Sequence, residues 1–493
     1  MVRRRLFSVN DHFYQGKPRY FIAECSNYSC FCVHVEGVQN TSCRSYLLFF
    51  VSKQRRLFKF IQPRTQLVAT QCGVVKRIFF STGELSGDLQ GSILIRALTR
   101  EALSRNVVVK VRRYISRVVV KSQKTFQLYG LGGSLMKQEG LELLQDTSKI
   151  SSIGLIEAVP HLWASWSMIQ NAIERVIEDP PDIAILIDYV GPNLQLASKL
   201  RKIFPGLPIV YYIAPQEWVW GYANQKVPFL LRYVESIGEI CDKVYSIFPA
   251  EHAYYQRHQI ASEYVGHPLF SSDWKKGNET NQKRARESLQ LALDAVVIAL
   301  VPASREQEIR YILPIMAQAA KHIQDQLVDE DVVFIVPCSR DDFRAKIQQQ
   351  LTRSGVSQFR IYDKTSSSIV IAAANLCIMK SGTVNLEAVA MQVPQLVLYR
   401  LSNWSAWLGR NVLGLQIPFI ASPNCVEMRL VVPELVQENA TAENVSKAAL
   451  NLLRTKHEQQ RMLTDYERIA KVLHCPEGTS RAAKSMFELM QTD

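Results

Sequence analysis

The sequence predicts an α/β protein made of two tandem Rossmann-like domains with a cleft between them. Three observations carry that prediction. Short β-rich apolar runs recur from residue 76 onward, separated by stretches of helical spacing. These runs are continuous rather than alternating, the pattern of parallel strands covered on both faces. A polar stretch containing a breaker, Trp274-Lys-Lys-Gly-Asn-Glu-Thr-Asn-Gln-Lys283, divides the series in two. A length of 493 residues, 47% hydrophobic and 21% charged, suits two or three globular domains.

The first series opens with the strand Arg77–Ser81, which runs into the loop Ser81-Thr-Gly-Glu-Leu-Ser-Gly-Asp88. A helix follows, marked by Ile93, Leu94, Ala97 and Leu98 at helical spacing. Further strands are expected at Asp182–Asp188, Pro208–Ile213, Val244–Phe248 and Ser262–Val265. Beyond the linker, the strand Ala295–Val301 and the helix Glu306–Asp325 open a second series. Strands at Asp331–Val336, Phe359–Tyr362, Leu376–Met379 and Gln395–Leu398 continue it. Residues 441–491 read as helical throughout and close the C-terminal end. The expected domains are therefore 74–275 and 284–440, with helices over 441–493 and a poorly patterned basic extension over 1–73.

The net charge of +13 points to anionic partners. Residues 1–75 hold eleven Lys or Arg and three acids, so +8 of that charge sits in the extension and only +5 elsewhere. That distribution argues against a nucleic-acid-binding core. The extension is open to two readings: an organellar targeting segment, or residues upstream of a start near Val74 or Val75. Its richness in Cys, Phe and Tyr is unusual for a transit segment. The ten cysteines form no closely spaced pairs of Cys/His dyads, which argues against structural zinc and for reduced core cysteines in an intracellular protein. No apolar run approaches the roughly 18 residues that span a bilayer.

Four segments have the residue types for chemistry. In the Ser81–Asp88 loop, Gly83 and Gly87 allow a tight turn before a helix, while Glu84 and Asp88 favour sugar hydroxyls or acid/base chemistry over phosphate; a purely structural turn is the competing reading. Asp188 ends a buried strand, where open α/β sheets bind ligands, and is a candidate general base; a helix-capping carboxylate is the competing reading. Ser304-Arg305 follow a strand and small residues, an arrangement suited to a diphosphate, although a plain surface arginine fits as well. Lys380-Ser-Gly-Thr-Val-Asn-Leu-Glu387 joins a strand to a helix. Ser381, Gly382 and Thr383 are placed there for phosphate and Glu387 for ribose hydroxyls, with helix capping as the alternative for single members. Two aromatic segments fit either a membrane surface or a packed core: Ile156, Val159, Trp163 and Trp166, and then Trp404, Trp407 and their apolar neighbours.

Taken in order, these segments resemble lipid-A-disaccharide synthases, glycosyltransferase family 19, from about Lys76 to the C-terminus. The resemblance is carried by Gly83-Glu-Leu-Ser-Gly-Asp88, Gly130-Leu-Gly-Gly133, Ile153-Gly-Leu-Ile-Glu157, Tyr212-Ile-Ala-Pro-Gln-Glu-Trp218 and Val265-Gly-His-Pro268. Pro302-Ala-Ser-Arg305, Ser381-Gly-Thr383, Ser422-Pro-Asn424 and Val432-Pro-Glu-Leu-Val-Gln437 complete it. It implies the GT-B arrangement, with an acceptor and membrane domain followed by a nucleotide-sugar domain. It also implies an inverting transfer of 2,3-diacylglucosamine from UDP to 2,3-diacylglucosamine 1-phosphate, forming a β-1,6 disaccharide. No cofactor and no metal is expected, and UDP-sugar is a co-substrate. By the same resemblance Asp188 is the base and Arg305 holds phosphate. Glu84, Ser86, Asp88 and Asn193 line the acceptor side. Ser304, Ser381, Gly382, Thr383 and Glu387 hold the nucleotide. Ile156, Val159, Trp163 and Trp166 meet the membrane. The implied place is the cytoplasmic face of a bacterial inner membrane, or a mitochondrion or plastid if residues 1–73 are a transit segment. A homodimer is left open.

Departures from the family pattern are Gly191 and Pro192 after the strand-end acid, Gly221 after Trp218-Val-Trp220, Ala303 before Ser304, and Cys425-Val-Glu-Met428 after Asn424. They are expected to cluster at the cleft. They keep two alternatives in view: another UDP-sugar enzyme of the same fold, such as an epimerase or a different acyl-sugar transferase, and a non-catalytic nucleotide- or lipid-binding descendant.

Overall fold

The computed structural model describes residues 31–33, 46–48, 76–83, 85–104, 126–147, 162–215, 217–219, 232–270, 278–338, 340–363, 367–402, 404, 407 and 418–490. Of the basic extension, two strands are described, β1 (Phe31–Val33) and β2 (Tyr46–Leu48), paired antiparallel in a compact unit separate from the one that holds the two large sheets.

The first large sheet is wholly parallel and contains β3 (Lys76–Ser81), β4 (Phe126–Gly132), β5 (Glu142–Asp146), β6 (Ile183–Ile187), β7 (Ile209–Tyr212), β8 (Lys243–Ser246) and β9 (Ser262–Tyr264). Their order is β5-β4-β3-β6-β7-β8-β9. All five residues of β6 are buried, as a continuous Ile/Leu/Ala run requires in a sheet with helices on both faces. Each fully buried branched side chain there contributes about 1.5–3 kcal/mol of transfer free energy. The helices around this sheet are α1 (Leu85–Ser104), α2 (Ser134–Gln138), α3 (Leu162–Glu178), α4 (Val190–Ile203), α5 (Val234–Ile240) and α6 (Pro249–Arg257). In α1, Leu94, Leu98 and Ala102 recur at four-residue spacing and are buried, so one stripe of the helix faces the core.

The second sheet contains β10 (Val296–Val301), β11 (Val332–Cys338), β12 (Phe359–Asp363), β13 (Leu376–Lys380), β14 (Gln395–Tyr399) and β15 (Glu434–Val436), in the order β12-β11-β10-β13-β14-β15. Its helices begin with α7 (Asn278–Ser288), α8 (Glu306–Tyr311), α9 (Leu313–Gln326) and α10 (Asp341–Arg353). They continue with α11 (Ser367–Ala373), α12 (Val384–Ala390) and α13 (Ser422–Glu427), and end with α14 (Ala442–Arg454), α15 (Lys456–Leu473) and α16 (Gly478–Leu489).

Four sequence expectations change. The helix after β3 starts at Leu85, so Ser86, Gly87 and Asp88 belong to its first turn and not to a loop. Asn278–Lys283, read as linker, opens α7. The helix expected over Glu306–Asp325 divides at Ile312, because Pro314 has no N–H to continue the ladder and sits at the start of α9 instead. The C-terminal helices do more than close the second half. Ser485 of α16 accepts hydrogen bonds from Lys243 at 2.8 Å and Tyr245 at 2.9 Å, and the Met490 carbonyl accepts one from Lys76 at 2.9 Å. The chain thus returns to the first sheet. The five cysteines described, Cys241, Cys338, Cys377, Cys425 and Cys475, are free thiols.

Both sheets have a topological switch point. In the first, the chain leaves β3 toward β4 on one side, and β6 pairs on the other. In the second, β10 lies between β11 and β13 in the same way. Connections diverge at such points and leave a crevice at the carboxyl ends of the strands.

Candidate active site at two switch points

Asp188 follows the last residue of β6, at the first switch point. It is half-buried, with φ +47°, and Tyr189 after it has φ +50°. Non-glycine residues in this left-handed region cost roughly 1–2 kcal/mol each, with Asp among the better tolerated. Neighbours hold the strained turn in place. The Asp188 N–H donates to the Ile213 carbonyl at 3.1 Å, and its own carbonyl accepts from Asn193 Nδ2 and the Tyr211 hydroxyl, each at 2.7 Å. Asn193 also donates to the carbonyls of Ser81 and Ile187 and accepts from Ser81 Oγ at 2.6 Å. One buried amide therefore ties together the ends of β3 and β6. Gly83 completes the turn: a Cβ there would lie 2.2 Å from the Tyr189 ring, so that ring can pack only on glycine.

The second switch point carries the cations. Arg305 caps α8 in an extended conformation, and Glu308 Oε2 accepts from the N–H groups of Ser304 at 2.6 Å and Arg305 at 3.0 Å. The other oxygen of Glu308 lies 3.7 Å from the Arg305 guanidinium and 3.5 Å from Lys380 Nζ. One buried carboxylate thus anchors two cations that follow the adjacent strands β10 and β13. Beside them Gly382, with φ +151°, donates its N–H to Asn385 Oδ1 at 2.9 Å, and Asn385 Nδ2 returns to the Lys380 carbonyl at 3.1 Å. Asn385 holds this turn as Asn193 holds the other.

A cavity of about 110 Å³ lies where the two halves meet. Ser86, Gly87, Gln90, Asp188, Phe248 and His267 line it from the first half, and Thr383, Leu386 and Ser422 from the second. Ligand sites for small molecules commonly reach ~300–1,000 Å³, so this cavity has room for only part of a nucleotide-sized ligand. Burial depresses the His267 imidazole to about 3. Its Nδ1 accepts the Leu269 N–H at 3.2 Å, which leaves the proton of the neutral ring on Nε2. Glu251 caps α6 through the N–H groups of Ile247 and Phe248, and burial pushes its carboxyl up to about 8. Glu217 accepts from Tyr233, Val234 and the Tyr254 hydroxyl, and burial raises it as well. Both acids hold wall segments.

The remaining expected site residues separate into groups. Ser86 and Thr383 face the cavity. Asp88 does not fit an acceptor-side role. It is buried, its carboxylate accepts from Gly133, Leu135 and Met136 N–H at 2.9–3.0 Å, and so it caps α2. Asn193 is fully buried and shapes the Asp188 turn, so it too is corrected from lining residue to positioning residue. Ser304 gives its N–H and hydroxyl to Glu308. The Ser381 hydroxyl is donated to the Ile420 carbonyl at 2.7 Å and the Gly382 N–H to Asn385, so within this turn Thr383 is the residue placed to meet a ligand. Glu387 is buried, and one of its oxygens accepts from Ser367 and Ser368 at 2.6 and 3.1 Å. Gly191 leaves open space, since a Cβ there would touch nothing within 4 Å. Glu84, Ile156, Val159 and Gly221 lie outside the described residues, as does the side chain of Trp163. Trp166 is 51% exposed on α3, and Trp404 and Trp407, 70% and 52% exposed, make an edge-on contact at 5.8 Å. Gln90, His267, Glu308 and Lys380 were not singled out from the sequence. His267 lay in the quoted Val265–Pro268 run and Lys380 opened the Lys380–Glu387 segment, each without a role of its own; Gln90 and Glu308 gave no signal.

A sequence profile described as lipid-A-disaccharide synthetase matches residues 78–487. The lipid-A-disaccharide synthase of Gloeothece citriformis is 39% identical over 412 residues, which covers 84% of this chain and 99% of that protein. Among solved structures, a UDP-GlcNAc 2-epimerase from Neisseria meningitidis bound to UDP-GlcNAc has a TM-score of 0.54 at 10% identity, covering 84% of this chain and 99% of its own. CalG4, the calicheamicin glycosyltransferase, has a TM-score of 0.50 at 14% identity, covering 85% and 99%. At these identities the two structures speak for the fold alone, the GT-B arrangement of two parallel sheets with flanking helices.

Proposed function

Because the chain belongs to the lipid-A-disaccharide synthase family, we propose that it transfers 2,3-diacylglucosamine from UDP to 2,3-diacylglucosamine 1-phosphate, with inversion. The observation that carries the mechanism is the placement of Asp188: a strained, hydrogen-bonded strand end on the wall shared by the two halves. Asp188 takes the proton of the acceptor 6-hydroxyl as that oxygen attacks the anomeric carbon and the bond to UDP breaks. Arg305 and Lys380, with the Gly382-Thr383 turn, stabilise the charge growing on the departing diphosphate. These cations supply positive charge at the leaving group, and the reaction is proposed to need no metal or other cofactor. Mass spectrometry of lipids from a strain lacking its own disaccharide synthase tests the reading. A tetraacyl disaccharide phosphate is expected; UDP binding with no such product would favour a non-catalytic descendant.

Both acyl sugars are amphiphiles, so a membrane surface is the proposed place of work. No helix of the described residues is long and apolar enough to cross a membrane. Exposed Trp166, Trp404 and Trp407 suit the headgroup region, where an aromatic ring is apolar in body and polar at one edge. The protein is expected to float with vesicles containing anionic lipid, and the triple change of these tryptophans to Glu is expected to reduce the bound fraction at least threefold. Undiminished flotation would remove the tryptophans from the reading.

A further inference from the structure

Gln90 is 3% exposed and lines the cavity with Asp188, yet neither end of its side-chain amide has a hydrogen-bond partner among the described residues. That is costly for a group with two donors and two acceptor positions, and such amides are nearly always satisfied in folded proteins. Gln90 lies four residues after Ser86 and three after Gly87, so all three share one face of α1, and all three line the cavity. Burial without a partner at a ligand wall is the arrangement of a group whose partner arrives with the ligand.

The chemistry of the acceptor narrows what that partner is. On the reading proposed above, on which this inference rests, the acceptor is acylated at positions 2 and 3, carries phosphate at position 1 and reacts at position 6. One free hydroxyl remains, at position 4, next to the reacting arm. A hydroxyl gives one hydrogen bond and takes others, which matches the paired donor and acceptor of a carboxamide. We infer that Gln90 binds the 4-hydroxyl of the acceptor sugar, fixing the ring so that its 6-hydroxyl meets Asp188. Gln90 is then a specificity-determining residue. It favours an equatorial 4-hydroxyl over its epimer and over a 4-deoxy sugar.

The test pairs a substrate change with a side-chain change in the full-length protein. Wild type and Gln90→Leu are each assayed with diacylglucosamine 1-phosphate and with its 4-deoxy analogue. Wild type is expected to lose about tenfold or more in kcat/KM on the deoxy acceptor, the usual result when a site built for a hydroxyl meets an analogue lacking it. Gln90→Leu is expected to lose about tenfold on the natural acceptor, to treat both acceptors alike, and to keep the donor KM. Its Tm is expected to be unchanged or higher, since no intramolecular bond is lost. Gln90→Met, which keeps the chain length, replaces the leucine variant should that one fail to fold. Equal turnover of both acceptors by wild type overturns the inference, and so does a variant that discriminates as wild type does or that loses only thermal stability. No transfer by wild type on either acceptor would instead overturn the proposed function itself.

Discussion

Asp188→Asn is expected to lower kcat by about 10³-fold while the acceptor KM and the Tm stay close to wild type. General-base catalysis is typically worth ~10²–10⁴-fold, and each factor of ten is about 1.4 kcal/mol of barrier. Asparagine is the informative substitution for a structural reason. Asp188 has φ +47°, and asparagine is among the few residues that enter this region without a large added cost. Its backbone bonds to Ile213, Asn193 and Tyr211 all survive, because none of them uses the side chain. The variant therefore removes the proton acceptor while keeping these backbone bonds. A fall in kcat at constant KM is the signature of an interaction made only in the transition state. Measured by steady-state kinetics with thermal melting alongside, activity within tenfold of wild type would remove Asp188 as the base. Asp188→Ala would be less clear, since it also places a poorer residue in a strained turn.

The strand ends were legible in the sequence because parallel strands buried on both faces leave continuous apolar runs, and Ile183–Ile187 is such a run. The turns after them were legible as candidate site residues for the same reason: chemistry in an open α/β sheet gathers where strands end. β4, β5 and β15 escaped notice. β4 is interrupted by Gly130 and Gly132, while β5 (Glu142–Asp146) and β15 (Glu434–Val436) are half-exposed and short of apolar runs. Which acids in a motif face the ligand was also not legible. Asp88 and Glu84 look alike as sequence, but Asp88 turns inward to three N–H groups at the start of α2, 45 to 48 residues later in the chain. Glu308 was silent for the converse reason. An acid three residues after Arg305 reads as an ordinary helix-start residue, and only the pairing of β10 with β13 brings Lys380 to the same carboxylate. Long-range pairing decided each of these cases.

Arg305→Ala is expected to cost about 10²–10³-fold in kcat/KM, the range found when one preorganised donor to a developing charge is removed. The leaving group gains negative charge as its bond to the sugar breaks, so a cation already in place stabilises the transition state more than the ground state. The Arg305 side chain is preorganised: it is largely buried, with Glu308 at 3.7 Å, and Glu308 in turn holds the Ser304 and Arg305 N–H groups. Lys380 lies 3.5 Å from the same carboxylate. Glu308 thus holds Arg305 and Lys380 side by side at the proposed diphosphate site. Removing Arg305 leaves Lys380 paired with Glu308 and takes a cation from the proposed diphosphate site, so the loss should exceed that of a single hydrogen bond. Arg305→Lys keeps the charge without the planar fork that binds two phosphate oxygens, and an intermediate loss of about tenfold is expected. UDP product inhibition should weaken in the same order. Because the cations are proposed to do this work, EDTA should leave the wild-type rate unchanged. An Arg305→Ala enzyme within threefold of wild type, or a wild-type rate that falls in EDTA and returns with a divalent ion, would move leaving-group stabilisation away from this pair.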